Sequence, residues 1–326
     1  MSQERFIDSL RDGISEEMRA DPRVIIFGED VAVGGAFGVT GGLADEFGDK
    51  RVINTPISED TIMGMAVGAS IAGKRPIVEI MFMDFMTLAM SQLVNHAAKL
   101  HFMSGGQLDV PMVVRVQQGA QGGWGSQHSQ SLEAWFAHVP GLKVVAPGNA
   151  ADAKLMIRAA IQDDSPVIFI EHRGLYFKTD PDDLPVNDIK GFHEARVVRQ
   201  GSDVTIVSYS RMVADALVAA EMLGAKGISA EVIDLRSLVP IDMPTLIDSV
   251  QKTSRLLIAH EAVMQGGLGA EIAAQVQREA FDYLDAPIER VGAPFVPVPA
   301  SLALEKEFVP DPAKIVAAVK RMFGRD

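Results

Sequence analysis

Short runs of β-branched and other apolar residues alternate along the chain with longer stretches whose apolar residues recur at helical spacing. The first half holds six such runs, and the stretches after its third and fifth runs predict helices over 87–104 and 149–164. Strands that alternate with helices are typical of a parallel sheet covered by helices on both faces. The six predicted strands are RVIIFGE, RVINTPI, RPIVEIMF, VPMVVRV, LKVVAP and PVIFIEH.

The alternation stops over residues 178–192, where prolines and aspartates occur without an apolar period. It resumes in the strand-like runs DVTIVSYS, ISAEVIDLRS and RLLIAHEA, again with helical stretches between them. The pattern therefore predicts a two-domain α/β protein, with domains over 1–177 and 193–326 and a linker over 178–192.

Composition narrows the classes of function. The chain has 326 residues, which suffices for two cores, and its net charge of −13 disfavours binding to nucleic acid or anionic lipid. No apolar run is long enough to span a membrane, and the lack of cysteine excludes disulfides and thiolate metal sites. Residues 1–23 predict an acidic amphipathic helix rather than a targeting peptide, which favours a cytoplasmic protein.

Common nucleotide and metal motifs are weak or missing. The segment GGLGAEI (266–272) resembles a dinucleotide fingerprint but ends in Ile272, where close helix packing needs glycine or alanine. His96 and His101 are five residues apart and do not share a helix face cleanly. Plain helix-start packing and a solvated or packed pair of histidines are the better interpretations.

Two places hold residues suited to proton chemistry. Glu59 and Asp60 follow Ser58 at a predicted helix start, where the helix dipole favours acidic side chains without any catalytic role. His128 lies in a segment rich in Gly, Gln and Ser, where an imidazole either transfers protons near neutral pH or only bonds to nearby backbone. Local chemistry leaves both alternatives open.

Several segments, spread over nearly the whole chain, resemble the β subunits of the E1 component of 2-oxo acid dehydrogenase complexes. This group includes pyruvate, branched-chain 2-oxo acid and acetoin dehydrogenases. The resemblance implies a transketolase-like pyrimidine-binding domain followed by a transketolase C-terminal domain, with thiamine diphosphate held between chains. The segments are TPISE, GMAVGASIAGKRPIVEIMFMDF, AAKLHFMSGGQLDVPMVVR, SQHSQSLEAWFAHVPGLKVVAP, DDSPVIFIEHR and IDLRSLVPID.

The resemblance also implies residues on the cofactor side of the site. Glu59 would hydrogen-bond a pyrimidine nitrogen of thiamine diphosphate and favour the imino tautomer that deprotonates the thiazolium. Phe85 would stack on that ring, although by itself it is typical of a core residue. Glu29 would lie at the site entrance, and Ile57 would be a cofactor-binding residue that gives Glu59 an apolar setting. Asp60, next to Glu59, departs from the usual family sequence and adds a second negative charge.

On the substrate side, the resemblance implies that His128 contacts the substrate and supplies a proton for acyl transfer to the lipoyl arm of an E2 subunit. Trp124, a few residues earlier, would reshape the substrate pocket. A potassium ion bound by backbone carbonyls near Ala160, Asp163 and Ser165 is implied by family analogy alone.

The chain has no GDG segment of the kind that holds the magnesium ion and diphosphate of thiamine diphosphate. The resemblance therefore implies an E1 α subunit that supplies this half of the site, in an α2β2 heterotetramer.

The leading hypothesis is the β subunit of an E1 that decarboxylates pyruvate or a branched-chain 2-oxo acid and acylates the lipoyl group of E2. One alternative is an acetoin dehydrogenase β subunit. Another is a non-catalytic assembly subunit for an α partner, against which the retained Glu59, Phe85 and His128 argue.

Overall fold

The structure is a computed structural model and describes residues 4–180 and 194–324. Most of the predicted linker lies outside the described residues, so the domain limits stay predictions. The strands are β1 (Val24–Gly28), β2 (Val52–Asn54), β3 (Arg75–Ile80), β4 (Val113–Gln118), β5 (Lys143–Val145), β6 (Val167–His172), β7 (Arg196–Arg199), β8 (Val204–Ser208), β9 (Ala230–Asp234), β10 (Ser237–Val239), β11 (Leu256–Val263) and β12 (Glu289–Ala293).

Helices flank these strands throughout the described chain. The α-helices are α1 (Phe6–Ala20), α2 (Leu43–Phe47), α3 (Glu59–Ile71), α4 (Leu100–Met103), α5 (Glu133–Ala137), α6 (Ala150–Gln162), α7 (Met212–Gly224), α8 (Met243–Thr253), α9 (Leu268–Ala280), α10 (Leu302–Phe308) and α11 (Pro312–Met322). Within the described ranges, no helix is both long and apolar enough to cross a membrane.

The first sheet has the strand order β10-β5-β6-β4-β3-β1-β2. Strands β1 to β6 are mutually parallel, and Ile26 of β1, for example, pairs with Val52 on one side and Ile77 on the other. All six strands predicted for this half are confirmed. Their apolar runs are continuous rather than alternating, as expected when both faces of a sheet are buried.

The second sheet has the order β12-β11-β8-β9-β7, with β7 antiparallel at one edge and the remaining strands parallel. The three strands predicted here correspond to β8, β9 and β11. The two-domain α/β fold class is thus confirmed. Strands β7, β10 and β12 were not predicted, because each is short or carries charged residues inside its run.

Strand β10 links the two halves, because it belongs to the second half of the chain yet pairs antiparallel with β5 of the first sheet. The apolar core is shared as well. Its largest cluster includes Phe27 and Ile168 from the first sheet together with Val207 and Ile258 from the second. The two sheets therefore pack as one body with a common interior.

The predicted helix over 149–164 is confirmed as α6, which Asn149 caps by accepting a hydrogen bond from the Asp152 N–H at 2.8 Å. The predicted helix over 87–104 is confirmed in part, because the stretch is helical but contains a π-helix (Ser91–Ala97) followed by the single-turn α4 rather than one continuous α-helix. The i to i−5 bonds of a π-helix change the turn without changing which residues are apolar, so periodicity alone does not reveal it.

Candidate active site

The predicted site residues follow neighbouring parallel strands of the first sheet. Glu29 comes directly after β1, Glu59 begins the helix after β2, Phe85 lies after β3 and His128 lies in the loop after β4. Because parallel strands end at the same edge, these four residues are placed along one carboxyl edge of the sheet. That edge is where open α/β sheets generally bind their ligands.

Of the two neighbouring carboxylates, only Glu59 is turned inward. Its side chain is buried at the first position of α3, whereas Asp60 is exposed. Ser58 occupies the N-cap position but donates its hydroxyl hydrogen to the Thr61 hydroxyl at 2.8 Å instead of capping the helix. Glu59 is therefore the buried acidic side chain in the first turn of α3.

Glu29 lies near Glu59. Burial raises the pKa of Glu29, and the negative charge of Glu59 raises it further, with smaller contributions from Asp30 and Glu79. Ile57, expected beside the cofactor, is 79% exposed. This end of the edge therefore combines two interacting carboxyl groups with a large apolar side chain that faces outward.

Aromatic rings gather at the next part of the edge. The ring of His128 makes edge contacts with Phe82 at 4.8 Å and with Phe85 at 5.3 Å between centroids. Trp124 lies 5.6 Å from Phe82. The structure thus brings Phe85, His128 and Trp124 together, and it adds Phe82, which sequence reasoning missed although it precedes Phe85 by only three residues.

Arg173 is a second residue that sequence reasoning missed. Its Nη2 donates to the Gly119 carbonyl at 2.5 Å and to the Ser129 hydroxyl at 2.9 Å, and its guanidinium lies 5.2 Å from the centre of the Trp124 ring. Burial lowers the pKa of Arg173, while the charge of Glu305 is the largest influence in the other direction. Its position directly after β6, at the same sheet edge, is the signal that points to it.

A buried charge network underlies the entrance. Arg115 donates to Glu79 at 2.6 Å and to both oxygens of Glu171 at 2.7 and 2.9 Å, and the Tyr176 hydroxyl donates to Glu171 at 2.7 Å. Glu79 also accepts a hydrogen bond from the Ala36 N–H at 3.2 Å. The network thereby fixes the glycine-rich segment that follows Glu29. Single charged residues within otherwise apolar strands were its sequence signal.

The residues predicted for potassium lie at the opposite, amino edge of the sheet. The carbonyl of Asp163 accepts a hydrogen bond from Arg75 Nη2 at 2.6 Å, and its carboxylate contacts Lys143 and the Ser165 N–H. Ala160 lies in the last turn of α6. Within the described residues, no cluster of three His, Cys, Asp or Glu side chains is arranged to hold a metal ion.

A cavity of about 970 Å³ lies between the two domains, with Met90 and Leu268 among the residues that line it. Glu59, Phe85 and His128 do not line this cavity. The carboxyl-edge site is therefore separate from this cavity.

Residues 5–178 match the transketolase pyrimidine-binding domain, and residues 193–315 match the transketolase C-terminal domain. The pyruvate dehydrogenase E1 component subunit beta of Rickettsia felis is 48% identical over 316 residues, which cover 97% of each chain. This chain belongs to the E1 β subunit family. Its mitochondrial relative from Oryza sativa, pyruvate dehydrogenase E1 component subunit beta-2, is 46% identical over 318 residues, 96% of this chain and 85% of that one.

The E1 β fold extends to more distant proteins. A solved structure titled "Split gene transketolase, inactive beta4 tetramer" superposes with a TM-score of 0.81 over 99% of both chains at 24% identity. At that identity the likeness concerns the fold alone.

Proposed function

We propose that this chain is the β subunit of a thiamine-diphosphate-dependent E1, which decarboxylates a 2-oxo acid and transfers the acyl group to the lipoyl group of an E2 subunit. Identity of 46–48% to pyruvate dehydrogenase E1 β subunits supports pyruvate as the first substrate to test. The same sequence identity supports an E1 α subunit as the partner of this chain.

The observation that carries this proposal is the buried Glu59 carboxylate at the edge that also holds Phe85 and His128. These residues fit the pyrimidine half of thiamine diphosphate. A buried carboxyl group suits a hydrogen bond to a ring nitrogen, and a flat aromatic side chain suits a ring face. Glu29 is assigned to the entrance of the same site and Ile57 to its cofactor contacts.

Bound thiamine diphosphate supplies the nucleophilic carbon and electron sink that decarboxylation of a 2-oxo acid needs. The chain's own residues orient and polarise the bound cofactor. Glu59 holds the hydrogen bond at the pyrimidine, and the Phe82 and Phe85 rings exclude water from the reacting centre. The His128 imidazole, held against these rings, supplies the proton that a departing lipoyl sulfur needs.

The diphosphate and magnesium contacts are assigned to the α subunit, because this chain contains no GDG segment. The α2β2 assembly follows from that assignment. The potassium ion at the backbone carbonyls near Ala160, Asp163 and Ser165 stays a prediction, and Arg75 Nη2 already donates to the Asp163 carbonyl. A cytoplasmic location stays a prediction, since several of the relatives are named as mitochondrial.

The test is to co-express a tagged chain with its α subunit and measure turnover of pyruvate, 3-methyl-2-oxobutanoate and acetoin with an artificial electron acceptor. Turnover should require added thiamine diphosphate and magnesium. Glu59→Gln should abolish turnover while the α subunit still co-purifies. Asp60→Asn, the matched change at the exposed neighbour, should retain most activity. Normal turnover in Glu59→Gln would instead favour the non-catalytic assembly subunit, and preference for acetoin would favour acetoin dehydrogenase.

A further inference from the structure

The loop that carries His128 belongs to the first domain but is held by the second. We define the His128 loop as residues 119–132, between β4 and α5. We propose that Glu305 of the C-terminal domain, assisted by Glu261, is a positioning residue that fixes this loop and thereby the His128 imidazole. The catalytic consequence rests on the proposed function of His128, whereas the anchoring itself does not.

Glu305 binds two successive backbone amides of the loop. Its side chain is 7% exposed in the first turn of α10, where Oε1 accepts from the Gly122 N–H at 2.8 Å and Oε2 accepts from the Gly123 N–H at 2.6 Å. Both glycines have positive φ, of +91° and +75°. Such a backbone turns consecutive N–H groups towards one anion, a role that glycine fills without strain.

The loop also approaches the segment before α10 closely. A Cβ atom at Gly123 would lie 2.7 Å from the Ala300 carbonyl oxygen, so a side chain there would force the loop away from its partner. The Ser126 hydroxyl donates to the Val298 carbonyl at 2.8 Å. The middle of the loop is thus bonded to the C-terminal domain on both sides of Trp124.

Glu261 holds the start of the loop. Its Oε1 accepts from the Ala120 N–H at 2.6 Å, and the Ala120 side chain packs in a small apolar cluster with Val298 and Phe308. A Cβ atom at Gly119 would lie 2.9 Å from that same oxygen, which shows how closely the backbone approaches it. The second domain therefore contacts the loop from its first residues up to Ser126.

His128 follows directly after this anchored stretch. Its backbone N–H donates to the Gly125 carbonyl at 3.3 Å, so a shift of the glycine-rich turn moves the histidine backbone too. A shift of that kind changes the edge contact of the His128 ring with Phe85. Displacing a reacting group by about 1 Å costs on the order of 100-fold in rate, which makes the anchor functionally important.

The structural test uses Glu305→Gln, because a glutamine amide accepts with one oxygen but presents an NH2 group to the second N–H. Glu307→Gln is the matched control, since Glu307 is exposed on the same helix. The chain has two tryptophans, so Trp135→Phe leaves Trp124 as the single fluorescent reporter within the loop. In that background, acrylamide quenching of Trp124 should rise in Glu305→Gln and stay unchanged in Glu307→Gln.

The kinetic test uses the complex with the α subunit. Acylation of a lipoyl domain should slow by roughly 10- to 100-fold in Glu305→Gln. Decarboxylation with an artificial acceptor, and the KM for the 2-oxo acid, should change much less, because Glu59 and Phe85 lie outside the loop. A merely structural role would lower both activities by the same factor. Glu305→Asp, which keeps the carboxylate, should recover part of the acylation rate.

The proposal would be overturned if Glu305→Gln showed the same Trp124 quenching and the same acylation rate as Glu307→Gln. If Glu305→Gln fails to assemble, Ser126→Ala decides the matter, because it removes only the bond to Val298. Unchanged quenching and acylation in Ser126→Ala would then overturn the proposal, and increases in quenching with slower acylation would support it. If quenching rises but His128→Asn acylates normally, the anchoring stands and the proposed function of His128 fails.

Discussion

His172, at the end of β6, donates from Nε2 to Oε2 of Glu261 on β11, with 2.9 Å between the two atoms. The Gly174 N–H donates to the other ring nitrogen of His172 at 3.0 Å. Glu261 also accepts from Arg211 Nε at 3.2 Å and from the Ala120 N–H of the His128 loop at 2.6 Å. One buried carboxylate therefore joins the first sheet, the His128 loop and the second domain.

This carboxylate predicts a loss of stability in acid. Burial alone raises the pKa of Glu261, but His172, Arg211 and the Ala120 N–H outweigh burial and lower the pKa to about 2, from an ordinary value of 4.5. A depressed pKa means that its stabilising contribution is complete above pH 4.5 and is lost as the pH falls towards 2. Urea unfolding from pH 7 to pH 3 measures this loss.

Glu261→Gln is the variant that isolates the contribution of this carboxylate to stability. It should lower the free energy of unfolding at pH 7 by about 3 kcal/mol, because it breaks a buried charged network. The difference in the free energy of unfolding between Glu261→Gln and the wild type should narrow as the pH drops below 4.5. Glu221→Gln, at an exposed position on α7, should be neutral at every pH. A gap that stays constant down to pH 3 would contradict this assignment.

Arg115 is expected to be essential for folding of the first domain. Arg115→Met leaves the Glu79 and Glu171 carboxylates buried without their cation, which costs about 3–5 kcal/mol. Arg278, whose side chain is 77% exposed and pairs with Glu279, provides the comparison. Arg278→Met should change the free energy of unfolding by less than about 1 kcal/mol. Equal effects of the two replacements in urea unfolding would argue against a stabilising role of the buried network.

Replacement of Gly35 is predicted to lower stability for two separable reasons. It has a φ of +68°, and a Cβ atom would lie 2.3 Å from Glu79 Oε1. Gly42 has a similar φ of +82° but open space around it. Gly42→Ala should therefore cost only the backbone strain of about 1 kcal/mol, whereas Gly35→Ala should cost roughly 1–3 kcal/mol more for the clash. Thermal unfolding of the two variants measures the difference, and equal costs would rule out the close contact.

The Glu29 and Glu59 pair predicts a titration effect. Since the charge of Glu59 raises the pKa of Glu29, Glu59→Gln should lower the pKa of Glu29. Burial remains the largest cause, so the pKa should stay above its ordinary value. Carboxyl carbon NMR of 13C-glutamate-labelled protein follows this titration. Asp60→Asn should leave Glu29 unchanged, and an equal shift in both variants would mean that Glu59 and Glu29 do not interact directly.

The sheet interior and the position of Glu59 were accessible from the sequence. Continuous apolar runs predicted β1 to β6, because a strand buried on both faces needs apolar side chains at every position. The placement of Glu29, Glu59, Phe85 and His128 at one edge follows from those strands being parallel. The roles of these residues came from the resemblance, since a carboxylate at a helix start looks the same locally whether or not it binds a cofactor.

Contacts between segments that are distant in the chain could not be predicted from the sequence. The helix expected over 87–104 became a π-helix and a single α-helical turn, because packing selects among helical forms that share similar apolar patterns. Phe82 and Arg173 join the site only because β3 and β6, the strands that precede them, both pair with β4, the strand before His128.

By itself, the sequence determined two α/β domains, their predicted strands, the inward-facing apolar residues and a set of candidate site residues. Tertiary structure alone decided that β10 pairs with the first sheet and that Glu305 bonds the loop of His128, which lies 177 residues earlier in the chain. The physical reason is that side-chain periodicity is a local property of the backbone. Pairing between strands and capping of remote amides depend on which surfaces meet when both sheets share one core.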